Sequence, residues 1–127
     1  MIIGNGIDII EIIRLQHSIE KYQGHFLDHI FTKEEQAVAE NKGELRYAFF
    51  AGRWAAKEAV AKALGTGFGS ACSWTDINIS NDELGRPFLT LSGVTAETAK
   101  KLGIDAWHLS ISHDREYACA SVIAEKR

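Results

Sequence analysis

One domain is what 127 residues allow: enough chain to bury a modest hydrophobic core, too little for two. An apolar share of 46% beside 24% charged residues excludes a disordered chain, and a formal net charge of −3 argues against general nucleic-acid affinity, which rests on a broad basic footprint. No stretch approaches the roughly 20 apolar residues that cross a membrane, and Cys72 and Cys119 form neither a disulfide framework nor a metal-ligand cluster, which favours a reduced, cytoplasmic setting.

Ile2 to Ile10 reads as a strand, although Gly4 and Gly6 would weaken it unless something approaches its backbone closely. It lacks the basic start and cleavage pattern of an export signal, and Asp8 interrupts its apolar run. The period then changes: Ile12, Leu15, Ile19, Tyr22 and Phe26 line one face of an amphipathic helix, while Arg14, His17, Lys21 and His25 gather on another. Thr32 and Glu35 have capping-box spacing for a short helix to about Asn41. Gly43 separates it from the alanine-rich segment Glu44 to Leu64, which predicts the longest helix, ending at Gly65. Within it Gly52 costs about 1 kcal/mol against alanine unless a close contact compensates.

Gly65 to Ser73 is a small-residue loop, followed by a predicted strand from Trp74 to Ile79, a turn over Asn81 to Pro87 and a strand from Phe88 to Leu91. Val94 to Leu102 has helical preference. Trp107, Leu109 and Ile111 then alternate with His108, Ser110 and Ser112, and beyond a polar turn over His113 to Glu116 the run Tyr117 to Ala124 completes a hairpin. This order predicts an α+β layer architecture rather than a doubly wound fold.

Asp8 is the first residue that points to chemistry: a carboxylate inside an apolar strand is costly to bury unless paired or metal-bound, and the alternative is a strand end facing water. Glu58 and Lys62 are neighbours on one helix face, which Ala51 and Ala55 extend with little bulk, leaving room for a ligand or metal; the plain alternative is a surface i,i+4 pair. Arg53 lies roughly 140° from Glu58 around the helix. Gly4 and Gly6 lack the rest of a dinucleotide fingerprint, and Gly65, Gly67 and Gly69 lack the Lys-Ser/Thr pair of a phosphate loop. His113 and Asp114 beside Ser112 are a polar strand end, and His17 with His25 matches no zinc pattern.

These residues occur in an order that resembles the holo-acyl-carrier-protein synthases, small bacterial members of the 4′-phosphopantetheinyl transferase family. Gly4-Asn5-Gly6-Ile7-Asp8-Ile9 with Arg14 is similar to the family's first signature, and Phe50-Ala51-Gly52-Arg53-Trp54-Ala55-Ala56-Lys57-Glu58-Ala59, with Lys62 and Gly65-Thr66-Gly67, to its central one. Gly85-Arg86-Pro87 and Ser110-Ile111-Ser112-His113-Asp114 add two more, so the likeness runs from end to end. It implies a small α+β fold with an antiparallel sheet packed against a long helix, in one domain over residues 1–127.

The resemblance implies transfer of 4′-phosphopantetheine from coenzyme A to a serine of an acyl-carrier protein, with Asp8 and Glu58 holding Mg²⁺ and Lys62 facing the reacting phosphate. Mg²⁺ keeps several waters and takes phosphate oxygens, so two protein carboxylates suffice. Either Glu58 or a metal-bound water would take the serine proton. Arg53, His113 and Gly85-Arg86-Pro87 are carried over as contacts to the nucleotide part of coenzyme A. Arg14 matches the family's carrier-docking arginine, Lys21 extends its patch toward an acidic carrier, and a homotrimer with sites at subunit boundaries is implied. The competing readings are a nonenzymatic coenzyme-binding module, a Mg²⁺-dependent phosphohydrolase with water as acceptor, and a structural oligomer.

Overall fold

The computed structural model describes residues 1–127. Strand β1 (Ile2–Glu11) leads directly into α1 (Ile12–Ile30), and α2 (Lys33–Glu40) and a 3₁₀ turn at Gly43–Leu45 lead into α3 (Arg46–Leu64). A second 3₁₀ turn at Trp74–Asp76 introduces β2 (Ile77–Asn81), followed by β3 (Pro87–Leu91), α4 (Gly93–Lys101), β4 (Ala106–His113) and β5 (Tyr117–Glu125). The strands form an antiparallel three-stranded sheet in the order β1-β5-β4 and a separate β2-β3 hairpin. The α+β expectation is therefore met, with α3 lying across the larger sheet.

Why the long helix can lie so close follows from small residues on both sides. Ala51, Ala55, Ala59 and Ala63 of α3 are buried against Ala118, Ala120, Val122 and Ala124 of β5. A Cβ added to Gly4 would stand 2.1 Å from the Ala63 carbonyl oxygen, and one added to Gly6 would stand 1.9 Å from that of Ala59. The glycines that weaken β1 as a strand are thus the positions where strand backbone meets helix backbone. Gly52 has a different reason: its missing side chain admits Ile111 of β4, whose Cγ2 would lie 2.9 Å from an added Cβ.

Three elements depart from the sequence pattern. Helix α1 continues past Phe26 to Ile30 but is broken at Gln23, whose φ of 51° and ψ of −133° are non-helical. Trp74 to Asp76 winds as a 3₁₀ turn before the strand begins at Ile77, because the Asp76 carboxylate is used to cap α4, accepting from the Thr95 backbone N–H and hydroxyl at 3.2 and 3.0 Å. Ala51 and Ala55, read as a flat surface for a ligand, are fully buried; the small residues admit the sheet instead.

Other expected ends hold. Thr32 and Glu35 form a complete capping box, and Gly65, with φ of 78°, ends α3 by donating its N–H to Ala61 and Lys62.

Candidate active site

From Gly4 onward the even-numbered residues of β1 face α3, so after Gly4 and Gly6 the next inward residue is Asp8, at the level where α3 presents Glu58 and Lys62. Asp8 keeps 18% side-chain exposure and accepts a 3.2 Å contact from the Lys62 ammonium, which also donates to the Ile7 carbonyl at 2.8 Å. Lys62 therefore bonds across to the strand, and the simple surface pair with Glu58 is not what forms.

Glu58 is left as the carboxylate with no ion-pair partner of its own. Partial burial raises its pKa above the usual carboxylate value, the Asp8 charge pushes it further, and Lys62 partly opposes both. Two neighbouring carboxylates whose repulsion is only partly relieved are a donor set suited to a hard divalent cation. No cluster of three or more His, Cys, Asp or Glu gathers anywhere in the chain. A cation here would thus take two protein ligands and draw the rest of its shell from water or substrate, the habit of Mg²⁺.

Asp8 and Glu58 open into a groove of about 410 Å³ that is also lined by Ile9, Arg14, Phe26 and Trp54. Arg14 stands exposed at its rim on α1, and Lys21 lies further along the same helix, exposed, 5.2 Å from the Tyr22 ring centroid. Phe26 and Trp54 make an apolar wall, their rings nearly parallel with centroids 5.9 Å apart. Beside the charged groups the groove thus offers a hydrophobic side, which the sequence did not single out.

Arg53 and His113 line a different pocket, of about 320 Å³, together with Lys42, Phe49 and Asn81. Arg53 is only 7% exposed; its guanidinium lies 4.1 Å from the Phe49 ring centroid and donates to Asn81 Oδ1, while its Nε is buried without a partner. Burial lowers its pKa, with Glu35 opposing. A buried cation with an unused donor suits an anion.

Asn81 also donates to the Gly85 carbonyl at 2.9 Å, and Asp82 holds the turn by accepting from the Leu84 and Arg86 N–H groups, each at 2.9 Å. That places the Gly85-Arg86-Pro87 turn beside Arg53. The sequence-predicted residues thus fall into two groups on one chain: Asp8, Glu58 and Arg14 in one groove, with Lys62 bonded to Asp8, and Arg53 and His113 in another pocket, with Gly85 tied to it through Asn81.

The family model for the 4′-phosphopantetheinyl transferase superfamily matches residues 4–122. The chain belongs to this superfamily.

Within it, the chain is 50% identical over 125 residues to the holo-[acyl-carrier-protein] synthase of Clostridium novyi, covering 98% of this chain and 88% of that one. Among solved structures, the holo-(acyl-carrier-protein) synthase of Bacillus anthracis in complex with CoA (3′,5′-ADP) superposes with a TM-score of 0.84 at 42% identity, over 100% of this chain and 99% of that one. The synthase of Neisseria meningitidis gives a TM-score of 0.91 at 36% identity, over 99% and 100%.

Two features of this superfamily member escaped the sequence reading. The aromatic wall is one; helical spacing marks Phe26 only as a core position. The other is Lys57, fully buried beneath the site and paired with Glu35 at 2.7 Å. Its place between Ala56 and Glu58 gave no sign, since a lysine at one helical position looks like any other until the neighbouring elements are placed.

Proposed function

We propose that the protein transfers 4′-phosphopantetheine from coenzyme A to a serine hydroxyl of an apo-acyl-carrier protein, releasing adenosine 3′,5′-bisphosphate. The observation that carries this reading is the pairing of Asp8 and Glu58 in a groove with an apolar wall, with Lys62 bonded to Asp8, in a chain of this superfamily whose structural relatives include one complexed with CoA. In the reaction the serine oxygen forms a bond to the phosphorus carrying pantetheine, the bond from that phosphorus to the bridging oxygen breaks, and the serine proton must be accepted. Glu58, or a water on the bound metal, would accept it.

Asp8 and Glu58 are the residues that would hold Mg²⁺, which would supply charge neutralisation for the phosphate oxygens. Lys62, steadied by the Ile7 carbonyl and Asp8, adds a second positive charge beside the same oxygens. Arg53, His113 and the Gly85-Arg86-Pro87 turn are proposed to take the nucleotide part of coenzyme A, where the unpartnered Arg53 Nε supports a phosphate ligand. Arg14 and Lys21 on the exposed face of α1 would meet an acidic carrier.

The two groups of residues sit in different pockets of one chain, so a complete site is proposed to form where copies meet, in a homotrimer. In support, the face of the three-stranded sheet that turns away from α3 exposes Ile7 at 68%, Ile9 at 65% and Ile123 at 40%. An apolar patch of this kind is normally covered by a partner. The free thiols of Cys72 and Cys119 accord with the cytoplasmic setting proposed for the enzyme.

The test is intact-mass spectrometry of apo-carrier incubated with the protein, coenzyme A and Mg²⁺. A carrier heavier by one phosphopantetheine, with free adenosine 3′,5′-bisphosphate, is expected. An unmodified carrier with folded protein overturns the reading, and release of the bisphosphate without carrier modification assigns hydrolysis instead.

A further inference from the structure

Lys57 is fully buried, one residue from Glu58, yet it touches no part of the groove. Its ammonium has three N–H groups and three acceptors: Glu35 Oε1 at 2.7 Å, the Ile30 carbonyl at 2.7 Å and the Trp74 carbonyl at 3.1 Å. Glu35 is equally committed, accepting from the Thr32 N–H with Oε1 and from the Ile79 N–H with Oε2, both at 2.8 Å. One pair therefore joins the end of α1, the start of α2, the middle of α3, the 3₁₀ turn at Trp74 and the middle of β2.

What lies at the far ends of those bonds matters to the site. Ile30 closes the segment of α1 that follows the break at Gln23, and this segment carries Phe26. Trp74 itself packs against Trp54, the rings tilted by 35° with centroids 4.5 Å apart, and stacks on Phe68 of the Gly65–Ser73 loop, with centroids 3.7 Å apart. Phe26, Trp54, Trp74 and Phe68 form a continuous ladder whose first two rungs are the apolar wall beside Asp8 and Glu58. Both neighbours of Trp54 in this ladder belong to segments whose backbone the Lys57 ammonium holds.

We propose that the Glu35–Lys57 pair is a positioning device for the reaction: by fixing the Ile30 and Trp74 carbonyls it sets the aromatic wall against which substrate is aligned with Asp8 and Glu58. The inference rests on the transferase reading only for its kinetic consequence. A buried pair is poor evidence of stabilisation, since apolar residues of equal volume often serve as well. What apolar residues cannot do is hold two carbonyls belonging to different segments.

The experiment compares wild type with Glu35→Gln/Lys57→Met, which removes both charges of the pair together, so that neither partner is left buried without the other. Far-UV circular dichroism and melting report the fold, near-UV circular dichroism reports the coupled Trp54–Trp74 pair, and carrier mass reports turnover. The expected result is a folded variant that loses the Trp54–Trp74 part of the near-UV signal, Trp107 on β4 keeping its own, and at least about tenfold in kcat/KM for the carrier. A folded variant with the wild-type signal and turnover overturns the proposal and leaves the pair a purely structural contact.

If the double variant does not melt cooperatively, Trp74→Leu decides, because it removes one rung and leaves the pair intact. About a tenfold loss of kcat/KM is expected there, and undiminished turnover overturns the proposal. Should wild type itself fail to modify the carrier, the transferase reading falls, while the near-UV comparison still decides whether the pair sets the ladder.

Discussion

Replacing Gly6 by alanine tests the claim that strand backbone resting on helix backbone sets the site. The added Cβ would stand 1.9 Å from the Ala59 carbonyl oxygen, 2.8 Å from its carbon and 3.1 Å from its Cα. All three atoms are main chain in the middle of α3, so no side chain can rotate away. Relief requires β1 and α3 to separate by about 1 Å at this point, a small-to-large strain of roughly 1–3 kcal/mol. For a domain of this size that lowers Tm by roughly 5–15 °C.

The larger effect falls on chemistry. Asp8 is the next inward residue after Gly6, and its 3.2 Å contact with Lys62 spans the gap being widened. A displacement of about 1 Å at a reacting centre costs on the order of 10²-fold in rate. Differential scanning calorimetry and the carrier mass assay read the two effects on one preparation. Gly24→Ala is the control: an added Cβ there meets nothing within 4 Å, and both readouts should stay at wild type. A Gly6→Ala protein with unchanged Tm and turnover would refute the reasoning.

Glu58→Gln should abolish transfer and yet stabilise the metal-free protein. The raised pKa means that the folded state holds the Glu58 proton more tightly than the unfolded chain, so this group favours folding below its ordinary pKa of 4.5, and the advantage disappears as pH rises through the folded value. Melting in a chelator should therefore show equal stability in acid and a higher Tm for the variant near neutrality; a lower Tm there would contradict it. Arg53→Ala should raise KM for coenzyme A by about 10-fold or more with a smaller change in kcat, as expected for loss of a charge-assisted phosphate contact. Ile123→Asp, placed on the exposed sheet face away from the groove, should leave the monomer folded and shift sedimentation from the proposed trimer to monomer, with loss of transfer. Thr32→Ala removes the capping box and should cost about 1 kcal/mol by denaturant titration.

Much of this was legible in the residues. The period change at Ile12, the Thr32 cap and the glycine at the end of α3 are local signals, and local physics decided them. Arg53 was separable from Glu58 by helical geometry alone, and the two do line different pockets. What failed were inferences about what lies opposite a residue. Ala51 and Ala55 are small whether they face a ligand or a sheet, and the sequence does not show that β5 answers them with Ala118 and Ala120. Trp74 has strand preference, but Asp76 is drawn away to cap α4, a contact 19 residues distant. Lys57 illustrates the same limit, since its partners come from three other elements.

The contact between Gly6 and the Ala59 carbonyl also bears on how the protein can vary. Where a site is spaced by interlocking side chains, one substitution can be answered by another nearby. Here the distance from Asp8 to Glu58 is fixed by two main chains in contact, and a larger residue on the strand has no complementary reduction available on a helix already trimmed to alanine. The spacing of the carboxylates is therefore not adjustable by small steps: the seam keeps its two glycines, or the site is rebuilt.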